Sequence, residues 1–435
     1  MVRRVRRLPA DDDTCAWIQA LPPLPPARRL GGTESADCIV IGAGFTGLAA
    51  ARRLATQRPN WRVVVLEAQR VGGGASGRNS GFVVDVAHWQ PRLGVEGNQR
   101  LVRLARFGIA ILRELVEAHG IECAWSELGR LHGAVGPIGQ RHLDQMAAGL
   151  DALQEPYQRL DTDGVAAITG SRFWGGALHT PGTVLVQPAA LVRALAATLP
   201  PGVTLFEQSP VRSIEGRFVV TAGDGQARAP RLLVTVNGFA PALGFLEIRV
   251  FPLLTFGSLT RVLTPDEQAA LGGRPEWGLV PEERMGTTVR RTRDQRILIR
   301  NTVHYTPSCA ADGALYAHVR RNHEAAFRAR FPALSAVSFE HTWGGVMGMS
   351  LNGAHAFGAL DEGLYAAGGY NGVGIAMGTA AGTLLADLVV GADSPALGDM
   401  RATPRPAWIP PEPLLGVGVR ATIAGMRARA GEEVL

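Results

Sequence analysis

The sequence predicts an α/β fold built on a parallel sheet with a second, α+β domain, on three observations. An apolar run, Cys38-Ile-Val-Ile41, leads straight into a glycine turn, Gly42-Ala-Gly44-Phe45-Thr46-Gly47. An uninterrupted helical stretch then runs from Phe45 to about Gln57, and a second apolar run, Val63-Val-Val-Leu66, ends in the acid Glu67. Elsewhere, β-type runs without any such turn, over 249–340, predict an antiparallel sheet.

The first two observations describe a Rossmann-like βαβ unit for a dinucleotide. Gly42 permits the tight turn and Gly44 lets backbone approach a pyrophosphate. Gly47 lets the helix pack close to the strand, with Phe45 and Thr46 between them. The helix start offers free N–H groups and a partial positive charge to phosphate. Glu67 lies 20 residues after Gly47, where an acid meets a ribose, with Ala68 beside it.

The next segment selects FAD over NAD. Gly72-Gly-Gly74-Ala75-Ser76-Gly77-Arg78-Asn79-Ser80-Gly81 is a second glycine-rich loop, bearing hydroxyls. Such a loop suits a cofactor that extends past its pyrophosphate, because small residues expose backbone N–H groups. Only one well-formed GxGxxG unit is visible, which argues against an additional NAD(P)H site.

A third glycine segment closes the chain's main part. Leu364-Tyr-Ala-Ala367 reads as a strand, and Gly369, Tyr370, Asn371, Gly372, Val373 and Gly374 form a turn before an apolar helix from Ile375 to about Val390. A helix start aimed at a reduced flavin ring would stabilise its negative charge.

These motifs resemble the D-amino acid oxidase-like flavoproteins, and within them the gamma-glutamylputrescine oxidoreductase and related amine-oxidising branch. GASGRNSG at 74–81, Trp17 followed by LPPLPP, the Trp343-Gly344-Gly345 segment and the 367–378 segment carry the likeness, in order along most of the chain. The resemblance implies FAD, contacts from Val211 on the adenine side and Gly238 near the pyrophosphate, and a sheet roofing the flavin. It also implies oxidation of a C–N bond to an imine, hydrolysed to an aldehyde or keto acid plus an amine or ammonia. Such chemistry needs positioning more than acid–base groups, so no catalytic residue is singled out.

Two departures from the family pattern bear on the substrate and the oxidant. Carboxylate-gripping relatives carry an arginine shortly after the tryptophan motif, where this chain has Met347; an amine, primary or secondary, is therefore the expected substrate. Arg290 and Arg300 keep open the alternative of an amino acid or N-methyl amino acid. Relatives resembling sarcosine oxidase attach flavin through a cysteine in the C-terminal part, but no cysteine follows Cys309. The expected FAD is non-covalent. Those relatives also activate oxygen with a lysine, whereas all 44 basic residues here are arginine. The electron acceptor is thus O2 or another carrier. A non-catalytic FAD-bearing subunit is the alternative of another class.

Composition excludes several classes. With 46% hydrophobic residues the chain is not disordered despite 54 glycines and 28 prolines. The net charge of +6 is scattered, without the basic stripe of a nucleic-acid binder. No run is long enough for a membrane span. The basic start Arg3-Arg4, Arg6-Arg7 is followed by acids and not by a signal's apolar region. Four separated cysteines suggest free thiols in a reducing, cytoplasmic compartment. Ten histidines show no metal spacing, and His341 and His355 bracket the tryptophan motif as possible pocket residues.

The expected organisation is an irregular arm over 1–35 and an FAD-binding domain over 36–90, 183–248 and 341–394. A substrate domain is expected over 91–182 and 249–340, and a tail over 395–435. The tail ends in a basic amphipathic helix, read as a packing or surface helix or, alternatively, as one that binds a membrane surface.

Overall fold

The computed structural model describes residues 2–10 and 12–434. Its centre is a six-stranded sheet in the order Val203–Phe206, Val63–Leu66, Cys38–Ile41, Leu232–Val234, Leu364–Gly368, Ala356–Asp361. All neighbours are parallel except the last pair, an antiparallel hairpin. The first two sequence runs are buried throughout, because such a sheet is covered on both faces. Alternation sorts their side chains. Cys38 and Val40 join the core formed with helices Phe45–Gln57, Gly94–Ala118 and Ala376–Val390. Ile39 and Ile41 face a five-stranded sheet that contains Val211–Glu215 and Val219–Ala222.

Residues of the arm belong to this framework. Arg3–Arg4 and Thr33–Ser35 are the two edge strands of the five-stranded sheet, and Ala16–Gln19 is a short helix with Trp17 buried. The arm is therefore only partly irregular.

An eight-stranded, mostly antiparallel sheet stands beside the parallel one. Its order is Phe339–Met349, Phe251–Thr260, Ile297–His304, Thr288–Arg291, Trp277–Pro281, Arg130–Ala134, Gly176–Thr180, Gln158–Asp161. The strand Phe339–Met349, which carries the tryptophan motif, pairs with Phe251–Thr260 over almost its whole length. It belongs to this sheet and not to the parallel one. The helix Gly313–Arg330 packs Ala326 and Phe327 on the sheet's outer face. No single described helix is long and apolar enough to cross a membrane.

Three buried histidines are held below the ordinary imidazole range. His132 is held down to about 4 by burial, with Arg130 adding to it. Arg130 Nε donates to His132 Nε2 at 3.2 Å, which leaves Nδ1–H to donate to Glu282 at 3.0 Å. Burial likewise lowers His323 to about 3 and His355 to about 4. The unfolded chain takes up protons near 6.5, before the folded one does. Stability contributed by these groups is complete above 6.5 and falls as pH drops, by up to about 1.4 kcal/mol per pH unit per histidine. Glu433, pushed up by burial to about 7, acts in the opposite sense between its ordinary value and 7. Glu67, also raised by burial, adds to Glu433; three histidines still outweigh the two, so the melting temperature should fall steadily from pH 6.5 to 5. A flat calorimetric profile over that range would show that these rings are not held neutral.

Candidate active site

The glycine turn closes as its sequence demands. Gly42 has φ +100°, a region that suits glycine. A side chain at Gly47 would collide with the Gly42 carbonyl, so the turn and its helix touch backbone to backbone. Glu67 sits under the turn. Its Oε2 accepts from Ala43 N–H at 2.8 Å and its Oε1 from Gln69 N–H at 3.0 Å. Burial pushes the Glu67 carboxyl up, and these amide bonds oppose it.

The 74–81 loop lies against the turn. It forms a single helical turn, Ala75–Arg78, and Ser76 Oγ accepts from Phe45 N–H at 3.2 Å. Two indoles support it from below: Trp17 donates to Asn79 O and Trp343 to Arg78 O, each at 2.9 Å. The two rings meet edge to face. Arg78 donates to Gly344 O at 2.6 Å and pairs with Asp12 at 2.5 Å, so its charge is engaged.

The third glycine segment meets the first. Thr46 Oγ1 and Tyr370 Oη share a hydrogen bond of 2.9 Å, buried. Asn371 Oδ1 accepts from Ser350 N–H at 2.9 Å, and its φ of +53° shapes the turn. Three helices begin at this place: Phe45–Gln57, Ala75–Arg78 and Ala376–Val390. None is capped by the side chain of its own N-cap residue, Gly44, Gly74 or Ile375. Apart from Phe45 N–H, which Ser76 Oγ takes, their first N–H groups are thus without a side-chain cap and suited to an anion.

All of this borders one cavity of about 1130 Å³, between the parallel sheet and the eight-stranded one. That exceeds an ordinary small-ligand pocket. Gly42, Gly44, Phe45, Thr46, Glu67, Ala68, Gly74, Ala75, Ser76, Arg78, Asn79, Val211, Tyr370, Asn371, Gly372, Val373 and Gly374 line it. Trp343 and Met347 line it from the eight-stranded sheet, and Met347 Sδ approaches Gly372.

Four expected residues stand elsewhere. Gly47 is the packing glycine behind the turn. Gly238 faces Val346 and Gly348, while its neighbours Asn237 and Phe239 line the cavity. Gly369 abuts Val250, with its N–H bonded to Asn237 Oδ1 at 2.8 Å. Arg290 is 1% exposed and donates to the carbonyls of Val186 (2.6 Å), Gly81 and Ser80, with Glu276 at 3.5 Å. Burial lowers it to about 10. It clamps the end of the glycine loop and does not line the cavity. His341 does not line it either, standing beside Glu340, and His355 borders a separate small void.

Arg300 does line the cavity. Its Nε donates to Thr255 Oγ1 at 3.0 Å, and no described acid pairs with it. Burial alone lowers its pKa. Arg92 and Arg284 also line the cavity without a described acid partner, but both are exposed to water. The sequence did not single out Gln69, His88, Gln90, Thr288 or the 415–426 stretch, all of which line the cavity. Only the last had a signal, an apolar stripe within a helix.

The pattern of a family described as FAD dependent oxidoreductase matches residues 37–388. The chain belongs to this family. It is 28% identical over 393 residues to the probable oxidoreductase OrdL of Rhizobium meliloti, covering 86% of this chain and 88% of that one. It is 28% identical over 393 residues to the gamma-glutamylputrescine oxidoreductase of Escherichia coli, covering 84% and 86%. Glycine oxidase from Geobacillus kaustophilus shares the fold, with a TM-score of 0.69 at 22% identity over 83% of this chain and 96% of that one.

The residues present fit FAD. Uncapped helix starts and two facing glycine loops form a cradle that side chains would fill. At Gly44 an added Cβ would lie 2.6 Å from Ser76 Oγ, closing the space between the turn and the loop. Gly44→Val should therefore yield a folded protein that purifies without flavin absorbance. Stoichiometric FAD in that variant would contradict this placement of the cofactor.

Proposed function

We propose that this FAD-dependent oxidoreductase oxidises the C–N bond of an amine that also carries a carboxylate, held by Arg300. The observation behind the reading is the half-buried guanidinium on the cavity wall with no acid beside it. A charge withdrawn from water costs several kcal/mol unless an opposite charge meets it. A substrate carboxylate supplies that charge, in a fork geometry that guanidinium matches.

Met347 stands where the resemblance to carboxylate-gripping relatives implies an arginine, and Arg300 provides a cation by a different route. Arg300 pairs across the sheet with Gly257, which pairs with Trp343. The cation therefore stands four residues from Met347 along the strand direction, roughly 13 Å at strand rise, and two strands over. The carboxylate is accordingly gripped from the middle of the eight-stranded sheet. Two named relatives are compatible with such a ligand: one oxidises glycine, the other gamma-glutamylputrescine.

Bound FAD supplies the two-electron acceptor for the C–N bond. The chain's own residues bind, orient and exclude water. Glu67 and the helix starts fix the nucleotide half, Arg300 and Thr255 fix the carboxylate, and Leu253, Leu298 and Met347 close the space against solvent. Among the described residues no group of acids, histidines and cysteines is arranged for a metal. All four cysteines are free and none lines the cavity, which supports non-covalent FAD and a reducing compartment such as the cytoplasm. The acceptor that reoxidises the flavin is O2 or a carrier.

Two outcomes test this reading. Acid precipitation should release the yellow colour into the supernatant; colour retained in the pellet would mean covalent attachment. Arg300→Met should lower kcat/KM for a carboxylated amine by roughly ten- to hundred-fold, the worth of a charge-assisted hydrogen bond, and leave the matched amine lacking the carboxylate nearly unchanged. Equal effects on both members of the pair would return the substrate to a plain amine.

A further inference from the structure

Resting on the carboxylate reading of the cavity, we infer that the C-terminal helix Leu414–Ala430 is the chain's specificity wall and selects substrates with an apolar extension. One stripe of this helix lines the cavity: Leu415, Gly418, Val419, Thr422, Ile423 and Met426. The spacing of three and four residues puts them on one face. That face carries no charge. The helix's arginines are turned elsewhere, Arg420 over the Tyr305 ring at 5.5 Å and Arg429 onto the Gly425 carbonyl.

The part of the sheet that packs beside this face is apolar too. Phe251 and Leu253 pack in one cluster with Leu415 and Val419, joined by Val303, Met347, Met349 and Ile423. A substrate held at Arg300 thus meets a cation at one end and hydrocarbon towards the helix. Burying hydrocarbon there improves affinity in proportion to the area removed from water.

The helix is fastened at both ends across the cavity. Before it, Glu412 accepts from Tyr305 Oη and from Gly416 N–H at 3.2 Å. After it, the Glu433 carboxylate accepts from Val135 N–H at 2.6 Å. The Glu433 carbonyl accepts from Thr287 N–H at 3.1 Å and Arg330 Nη2 at 3.2 Å. It is a built wall and not a loose tail. It also lies outside residues 37–388, the part that the family shares.

Gly418 offers a clean probe. A Cβ added there meets nothing within 4 Å, and in a helix a larger residue is better tolerated than glycine. Gly418→Leu should fill the compartment without disturbing the fold. The test uses the FAD-loaded enzyme and calorimetric titration with acetate, butyrate, hexanoate and octanoate. In the native protein, affinity should rise by about fourfold per added methylene until the compartment is full. Gly418→Leu should flatten that rise, weakening octanoate far more than acetate. Arg300→Met should instead weaken all four ligands by a common factor. A flat series in the native protein, or a rise that Gly418→Leu retains in full, overturns the wall. Acetate binding unaffected by Arg300→Met overturns the carboxylate reading beneath it.

Discussion

The cavity depends on the close approach of two helices whose sequences lie more than 300 residues apart. The helix Phe45–Gln57 meets Ala376–Val390 at Thr46, where a side chain at Gly382 would collide with the Thr46 carbonyl. Only glycine permits that contact. The approach brings Tyr370 within hydrogen-bonding distance of Thr46 and sets the two glycine turns side by side. Without it the two turns would still form locally, but their helix starts would not converge. The anion-binding property belongs to the crossing and not to either motif alone.

Much of this site was legible because it is written in backbone requirements. Gly42, Gly44 and Gly47 announce a turn, and Glu67 follows at the distance that a strand, a turn and a helix impose. The same logic exposed the 74–81 loop and the 369–374 turn. Side-chain roles across the long sheet were less legible. Arg290 and Arg300 lie on neighbouring antiparallel strands, paired with Leu298 and Thr288 respectively. Both point to the same face, since Leu298 and Thr288 each line the cavity. What separates them is a short ribbon, Phe82–Val83 with Val184–Leu185, that crosses the sheet at the level of Arg290. The carbonyls of Gly81 and Val186 at its ends take that guanidinium. No periodicity in one strand reveals which part of its face another segment will cover. The arm and the last helix were obscure for the same reason, their partners being hundreds of residues away.

All the basic side chains except histidine are arginines, and several near the cavity are already engaged. Arg78 holds Asp12 and the Gly344 carbonyl, Arg290 holds the loop, and Arg130 donates to His132 and the Val86 carbonyl. Guanidinium suits such work because it remains charged when buried and serves several acceptors in a plane. The same property makes an unengaged one informative. Arg300 has a neutral hydroxyl at Nε and no acid, so the cost of its burial is left for a ligand to offset. Arg92 and Arg284 carry less weight, because water screens exposed charges.

The strand Phe339–Met349 connects these features into one chemical site. Trp343 reaches down to the flavin loop through its indole N–H and stands in register with Gly257 and Arg300. Four residues on, Met347 touches Gly372, and Gly348 presses against the turn at Gly238 and takes the Asn371 N–H on its carbonyl. A single strand thus contacts the 74–81 loop at one end and the C-terminal turn at the other, with the Arg300 guanidinium two strands away. Any shift of that strand would disturb both glycine segments together. On the proposed reading, the sheet sets the distance between a carboxylate at Arg300 and the carbon to be oxidised, while the reach beyond it is left to the helix that closes the other side.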